Sequence, residues 1–287
     1  MKINKEPAGY RIFYITNIIF LSLLALLCLL PMVNILTMSF SSHVAISRGE
    51  VSFWPVGFNT IAYQYLLRNA SFWTSMTVSL KRIVLGGAVN MLMSVMIAYP
   101  LSKDPKNLPG RTAYAWYFFF TMLFGGGLIP TFLVVKYTGL MDTIWALIIP
   151  GAVPIFNIIL LLNFFRQLPR ELEEAAFVDG AGHWKTMMKI YLPISLPGLA
   201  TIALFTIVGH WNEWFSAIIY MKHTENYPLQ TYLQMVLVST TFRVDSPADL
   251  EILNKLSNMT VSSAQIFIGM IPILIIYPFA QKYFTKG

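Results

Sequence analysis

Six long stretches of this chain carry no Lys, Arg, Asp or Glu: residues 12–47, 83–102, 112–135, 143–165, 190–212 and 256–281. Each can supply the ~20 mostly apolar residues that a helix needs to cross the hydrocarbon of a bilayer. Across all 287 residues only 11% are charged, roughly half the ~25% usual in soluble domains. So few charges cannot coat a water-facing globule, which excludes a soluble enzyme, a disordered tail and a nucleic-acid-binding module. The net charge of +7 does not reverse this, because the basic residues sit beside the apolar runs. The only cysteine, Cys28, lies inside the first run and permits no internal disulfide. Lys2, Lys5 and Arg11 precede that run as in a secretory signal, but it continues to about Met38, a length that predicts an uncleaved membrane anchor.

The predicted architecture is an all-α membrane protein, one domain over 1–287, with six transmembrane helices at about 12–38, 76–101, 112–135, 144–164, 196–220 and 262–283. An even number of crossings puts both termini on one side. With the termini in the cytoplasm, the inner segments hold 12 of the Lys and Arg residues and the outer segments 8, which favours that orientation by the positive-inside tendency. Lys81 and Arg82 test the second span, because each would cost roughly 2.5–3.5 kcal/mol at a helix centre. Residues 83–102 are uncharged and, at ~1.5 Å per residue, span about 30 Å, so both side chains can remain outside the hydrocarbon. Two readings stay open there: snorkelling to the outer headgroups, or an aqueous entrance that meets an anionic solute.

In the third span Gly125, Gly126 and Gly127, followed by Pro130, predict a hinge, although membrane glycines also permit close helix packing. Pro150, Pro154, Pro272 and Pro278 carry the same ambiguity. Residues 39–73, with Phe53, Trp54, Phe58 and Trp73 among their aromatics, suit a segment at the membrane interface. The polar outer loop 222–261 holds Asp245, Asp249 and Glu251 near Arg243 and Lys255. Its length favours a functional or partner-ordered loop over a solvated, mobile one.

The most informative stretch is the predicted cytoplasmic loop at 165–197. Pro169 suits the first helical position, and Glu171, Glu173 and Glu174 suit the positive end of the helix dipole. Gly180 then supplies a stop. Leu172, Ala175, Ala176 and Asp179 fall on one face of this short helix, which therefore presents a narrow ridge rather than a broad apolar stripe. After Gly180 and Gly182 a second amphipathic piece, residues 184–191, leads into Leu192-Pro193. A small exposed helix between glycines is suited to being gripped by another protein.

Glu174-Ala175-Ala176, three residues, Gly180, nine residues, Ile190, one residue and Leu192-Pro193 match every fixed position of the EAA signature of permease subunits of bacterial ABC importers. The chain resembles that family over nearly its whole length. Residues 124–130 (FGGGLIP), Asp179-Gly180-Ala181 and Trp211-Asn212-Glu213-Trp214 resemble its sugar-importing, MalG-like branch. What the resemblance implies is a type I ABC importer (MetI-like) permease fold in the bacterial cytoplasmic membrane, with spans two to six around a translocation path and the first span outside. It also implies a second homologous permease subunit, two ABC ATPase subunits that bind ATP and Mg, and an extracellular or periplasmic solute-binding protein. In that scheme Glu174, Ala175, Ala176 and Gly180, with Leu172 and Asp179 beside them, form the ATPase-coupling contact, and loop 222–261 stands where relatives reach into the binding protein. Relatives often continue in a Gly-rich tail; this sequence reaches Thr285-Lys286-Gly287, so tail contacts with the ATPases are not expected.

His43, His183, His210 and His223 have no metal-ligand spacing, and no Gly-rich phosphate loop with Lys is present. The chain is therefore not expected to be an enzyme or to hold a metal or cofactor itself. The alternative function is an ion-gradient-driven secondary transporter of a small polar solute, a class marked by internal repeats and mid-membrane ionisable residues; neither is clear here. Trp211, Asn212 and Glu213, with Lys81 and Arg82, are the candidate solute-path residues, since rings with a few placed polar groups typify ligand sites. Interfacial anchoring is the other reading of such Trp residues. The expected solute is an oligosaccharide or polysaccharide, and the basic pair leans toward an acidic one.

Overall fold

The computed structural model describes residues 7–238 and 258–284, and among them every regular element is helical. Most of the acidic and basic residues expected in the outer loop, from Arg243 to Lys255, lie outside the described residues, as do Lys2, Lys5 and the last three positions. In chain order the helices are α1 (Ala8–Ser39), α2 (His43–Ser47), α3 (Ile61–Arg68), α4 (Ala70–Ser102), α5 (Arg111–Leu123) and α6 (Leu128–Tyr137). Two 3₁₀ turns, Ile144–Leu147 and Ile149–Gly151, precede α7 (Ile155–Arg166) and α8 (Arg170–Val178). Next, α9 (His183–Thr186) runs through a π-helical turn, Met187–Tyr191, into α10 (Leu192–Ile194). They are followed by α11 (Leu196–Asn212), α12 (Phe215–Tyr220), α13 (Leu229–Val238) and α14 (Asn258–Phe284).

These elements form two compact units, one of Met1–Asn69 with Val236–Met270 and one of Ala70–Met235 with Ile271–Gly287. In the first unit α1 leaves its Ile, Leu and Phe side chains exposed on every face from Ile12 to Leu30. A helix apolar all round is suited to lipid rather than water. Its C-terminal end is stitched to the following loop: Thr37 Oγ1 donates to the Ser52 carbonyl at 2.9 Å, and Ser41 Oγ accepts from the Val56 N–H at 3.1 Å. Phe40 stacks on Phe58 and Tyr63 at 5.4 and 4.8 Å. Ala62 and Leu66 of α3 pack against Val261 and Ala264 of α14.

The second unit is built around α4. Val95, Ala98, Tyr99 and Leu101 of α4 meet Ile158, Leu161, Leu162 and Phe165 of α7, with Met187, Tyr191 and Ile202 closing the cluster. Gly198 lets α11 approach α7, since a Cβ there would stand 2.6 Å from the Phe164 ring. A second cluster joins Val135, Ala146 and Leu147 to Ala217, Tyr220 and Met221.

The six predicted spans are not six straight helices. Gly9–Ser39 and Ala70–Ser102 are each long and apolar enough to cross a bilayer. Residues 112–135 instead form α5 and α6, set at 110° across residues 124–127. Gly127 adopts φ +87°, which glycine reaches at no steric cost, and Pro130 sits in the first turn of α6, where its missing N–H is no loss. Residues 144–164 bend by 50° between the 3₁₀ turns and α7, where Pro150 and Pro154 interrupt the helical ladder. The expected fifth span stops at Asn212 and resumes at Phe215. By contrast α14 continues as one helix through Pro272 and Pro278.

Candidate functional site

One face of α4 is polar or small along much of its length. Ser75, Ser79, Arg82, Gly86, Asn90 and Ser94 recur every three or four residues, and all are buried. Backbone polar groups that lose their helical partners in an apolar setting must find others. The α4 stripe supplies them. Ser79 Oγ accepts from the Leu229 N–H at 2.7 Å. Arg82 Nη1 donates to the Glu213 carbonyl at 2.9 Å, at the point where α11 ends, and Nη2 reaches the Leu147 carbonyl at 3.4 Å. Asn90 Nδ2 donates to the carbonyls of Gly151 and Ala152 at 2.7 and 3.0 Å, just before α7, and its Oδ1 accepts from His210 Nε2 at 2.7 Å. The helix ends at Gly151–Ala152 and at Glu213 are thus met by α4 side chains. Gly86 makes room for this arrangement, because a Cβ there would lie 2.6 Å from His210 Nε2.

Arg82 also forms an ion pair with Glu213, Nη2 to Oε2 at 2.5 Å, with side-chain exposures of 4% and 35%. The other Glu213 oxygen accepts from the Ser216 N–H at 2.8 Å, and the Ser216 hydroxyl donates to Oε2. Arg82 is buried, and its charge is matched within the chain. Lys81, by contrast, is exposed. Arg82, Asn90, Asn157, Thr206, His210 and Glu213 line a cavity of about 440 Å³. Among the five candidate solute-path residues, only Arg82 and Glu213 line it; Trp211 is buried at 2% exposure and Asn212 is exposed. Asn157 Nδ2 donates to Thr206 Oγ1 at 3.0 Å, joining α7 to α11 on the same wall. The spacing of Ser, Gly and Asn along α4 is the sequence signal for this wall.

The predicted loop helix is α8. Its end is a full Schellman turn: Gly180 N–H bonds to the Phe177 carbonyl at 3.0 Å and Ala181 N–H to the Ala176 carbonyl at 2.9 Å, with Gly180 at φ +76°. Leu172, Glu174, Ala175, Asp179 and Gly180 are exposed. Ala176, grouped with them by spacing, is turned inward and buried instead, because Glu173 and Ala176 form the face that docks on the protein. Val178, not singled out in the sequence, is 87% exposed and is the most prominent apolar side chain on the helix.

Also in the second unit, Asp142 occupies the left-handed region at φ +61° and collects donors from residues 222–226. It accepts from the Lys222 N–H at 3.0 Å, the His223 N–H at 3.3 Å, Asn226 Nδ2 at 3.1 Å and His223 Nδ1. These bonds, led by that from Asn226, hold its carboxyl well below the ordinary value of 3.8. A carboxylate depressed in the folded state stabilises fully above its unfolded value and loses that contribution only as pH falls through the lower folded one. The latch should therefore survive acidification to pH 3.8, the ordinary value. Asp142→Asn should speed amide hydrogen exchange at residues 222–226 at neutral pH; unchanged exchange would count against the latch.

Residues 7–287 match the family of binding-protein-dependent transport system inner membrane components. The polygalacturonan/rhamnogalacturonan transport system permease protein YtcP of Bacillus subtilis (strain 168) is 38% identical over 93% of this chain and 93% of its own length. Protein LplC of the same organism is 39% identical, over 99% of this chain and 95% of its own. Among solved structures, a chain from a bacterial ABC transporter involved in the import of the acidic polysaccharide alginate superposes with a TM-score of 0.88 at 36% identity, covering 97% of this chain and 99% of that one. A helical permease fold, apolar helices and agreement along nearly the whole length point the same way: the chain belongs to the family of binding-protein-dependent transport system inner membrane components.

Proposed function

We infer that this chain is one permease half of an ATP-driven, binding-protein-dependent importer of oligosaccharides or polysaccharides that carry uronic acids. The observation that carries this reading is the likeness, over nearly the whole chain, to a permease and an importer chain whose described solutes are acidic polysaccharides. The polar cavity supports it as well, since Asn, Thr and His groups in a concave wall suit sugar hydroxyls. The acidic class rests on the relatives rather than on Arg82, because Glu213 cancels that charge.

In this reading the chain crosses the bacterial inner membrane six times, with the bent pairs α5–α6 and the 3₁₀ turns with α7 among the crossings, α11 continued by α12 as another, and both termini in the cytoplasm. A second homologous permease completes the path, and a solute-binding protein delivers solute from outside. Two ATPase subunits hold ATP and Mg, and the exposed ridge of α8, namely Leu172, Glu174, Ala175, Val178, Asp179 and Gly180, seats in a groove of one of them. The buried Ala176 packs beneath that ridge. Gly125, Gly126, Gly127 and Pro130 form a hinge between α5 and α6. A ligand drives alternation between inward-open and outward-open states only by binding them unequally, and ATP at the partner supplies that difference.

A gradient-driven carrier would draw on the Arg82–Glu213 pair as an ion site, but both side chains are committed to hydrogen bonds at the α11–α12 break. Purified in mild detergent, the chain should bring an ATPase subunit with it, and Ala175→Cys should crosslink to that subunit through a short bismaleimide. A chain that purifies alone and forms no crosslink favours the carrier.

A further inference from the structure

The inward face of α8 is tied to the end of α4 by a buried charge. Lys103, the residue after α4, has 6% side-chain exposure, and its Nζ lies 2.7 Å from Glu173 Oε1, whose side chain is 13% exposed. The ammonium is held between two aromatic faces, 3.9 Å from the Tyr99 ring centre and 4.0 Å from that of Tyr191. Tyr191 Oη donates to the other oxygen of Glu173 at 2.6 Å. Tyr191 closes the π-helical turn Met187–Tyr191, and such turns recur at functional sites because they re-aim side chains.

The anchor at the α4 end is itself fixed. Lys103 N–H bonds to the Pro100 carbonyl at 3.1 Å, Arg111 donates to the Lys103 carbonyl at 3.0 Å, and Arg166 donates to the Leu101 carbonyl at 3.2 Å. Burial pushes the Lys103 ammonium below its ordinary value of 10.5, and Glu173 pulls it back. A buried ion pair is poor evidence of stability, since apolar residues of similar volume often do as well. What it adds is direction: an ammonium between two ring faces and against one carboxylate has one preferred position. The outer pair Arg170–Asp104, at 2.7 Å, is exposed at 74% and 39% and so adds little.

We propose that Lys103 is a positioning residue for energy coupling, which with Glu173 and Tyr191 locks α8 to α4 so that a displacement of α8 by the ATPase is delivered to α4 without slippage. The proposal rests on the importer reading above and adds to it the route by which force enters the spans.

The test uses the assembled complex with its ATPase subunits, in a Cys28→Ser background carrying nitroxide labels at Glu171→Cys on α8 and Leu92→Cys on α4. Distances are measured without nucleotide and after trapping with ATP and vanadate. The parent should give one distance in both states. Lys103→Met should shift or broaden it by several ångströms on trapping, Tyr191→Phe should do so to a lesser extent, and Lys103→Arg should restore the parent behaviour. If Lys103→Met does not assemble, Tyr191→Phe decides. Variant distances identical to those of the parent, or a parent distance that itself shifts on trapping, would overturn the tie. A parent that carries no ATPase and traps no vanadate would overturn the importer reading, and the tie with it.

Discussion

Gly180→Val is expected to lower solute import by about tenfold or more while leaving the chain inserted in the membrane. Gly180 holds φ +76°, where a side chain with a Cβ costs roughly 1–2 kcal/mol and a β-branched one more. Nothing lies within 4 Å of the position a Cβ would take, so the penalty is one of backbone conformation rather than collision. Relief comes only by unwinding the Schellman turn, which moves Val178 and Asp179 out of the ridge. A loss of about 1.4 kcal/mol at the seat is a tenfold loss of occupancy. Glu174→Lys should act in the same direction through charge, since Glu174 is exposed on the same helix. Import and ATP hydrolysis in the reconstituted complex check both; transport and solute-stimulated hydrolysis equal to the parent's in both variants would remove α8 from the coupling contact.

Arg82→Met should be among the most destabilising single changes in the second unit. It leaves Glu213 beside a mostly buried wall without its counter-charge and strips the Glu213 and Leu147 carbonyls of a donor. Removing one member of a buried pair costs about 3–5 kcal/mol; the 35% exposure of Glu213 sets the expectation at the lower end of that range. The double variant Arg82→Met with Glu213→Gln should recover part of the loss, because the orphaned charge goes but the unmet carbonyls remain. The thermal unfolding midpoint of the purified protein measures this. A single variant as stable as the parent, or a double variant no better than the single, would contradict the role given to the pair.

The helical class, the loop helix and its glycine stop were legible in the sequence because they depend on local composition and spacing: charge-free runs, a first turn rich in Glu, Gly180 after the last helical residue. The breaks in residues 112–135 and 144–164 were legible in the same way from Gly and Pro. What holds the breaks together was not, because Arg82 meets Glu213 across 131 positions of sequence and Asn90 meets His210 across 120. Charge counting leaves Arg82 open between the outer headgroups and an aqueous entrance; the folded chain adds a carboxylate and two carbonyls as its partners. Ala176 was misassigned to the outer ridge for a related reason. Periodicity states which residues share a face, whereas the docking of Glu173 on Lys103 decides which face is turned inward.

Reconstitution into vesicles tests the central claim most directly, with labelled oligogalacturonide and its binding protein on one side and the nucleotide supplied on the other. Uptake is expected only with the ATPase subunits present and ATP on their side, and it should vanish with ADP. Accumulation driven by a proton or sodium gradient, through this chain and its permease partner without any ATPase, would contradict the account.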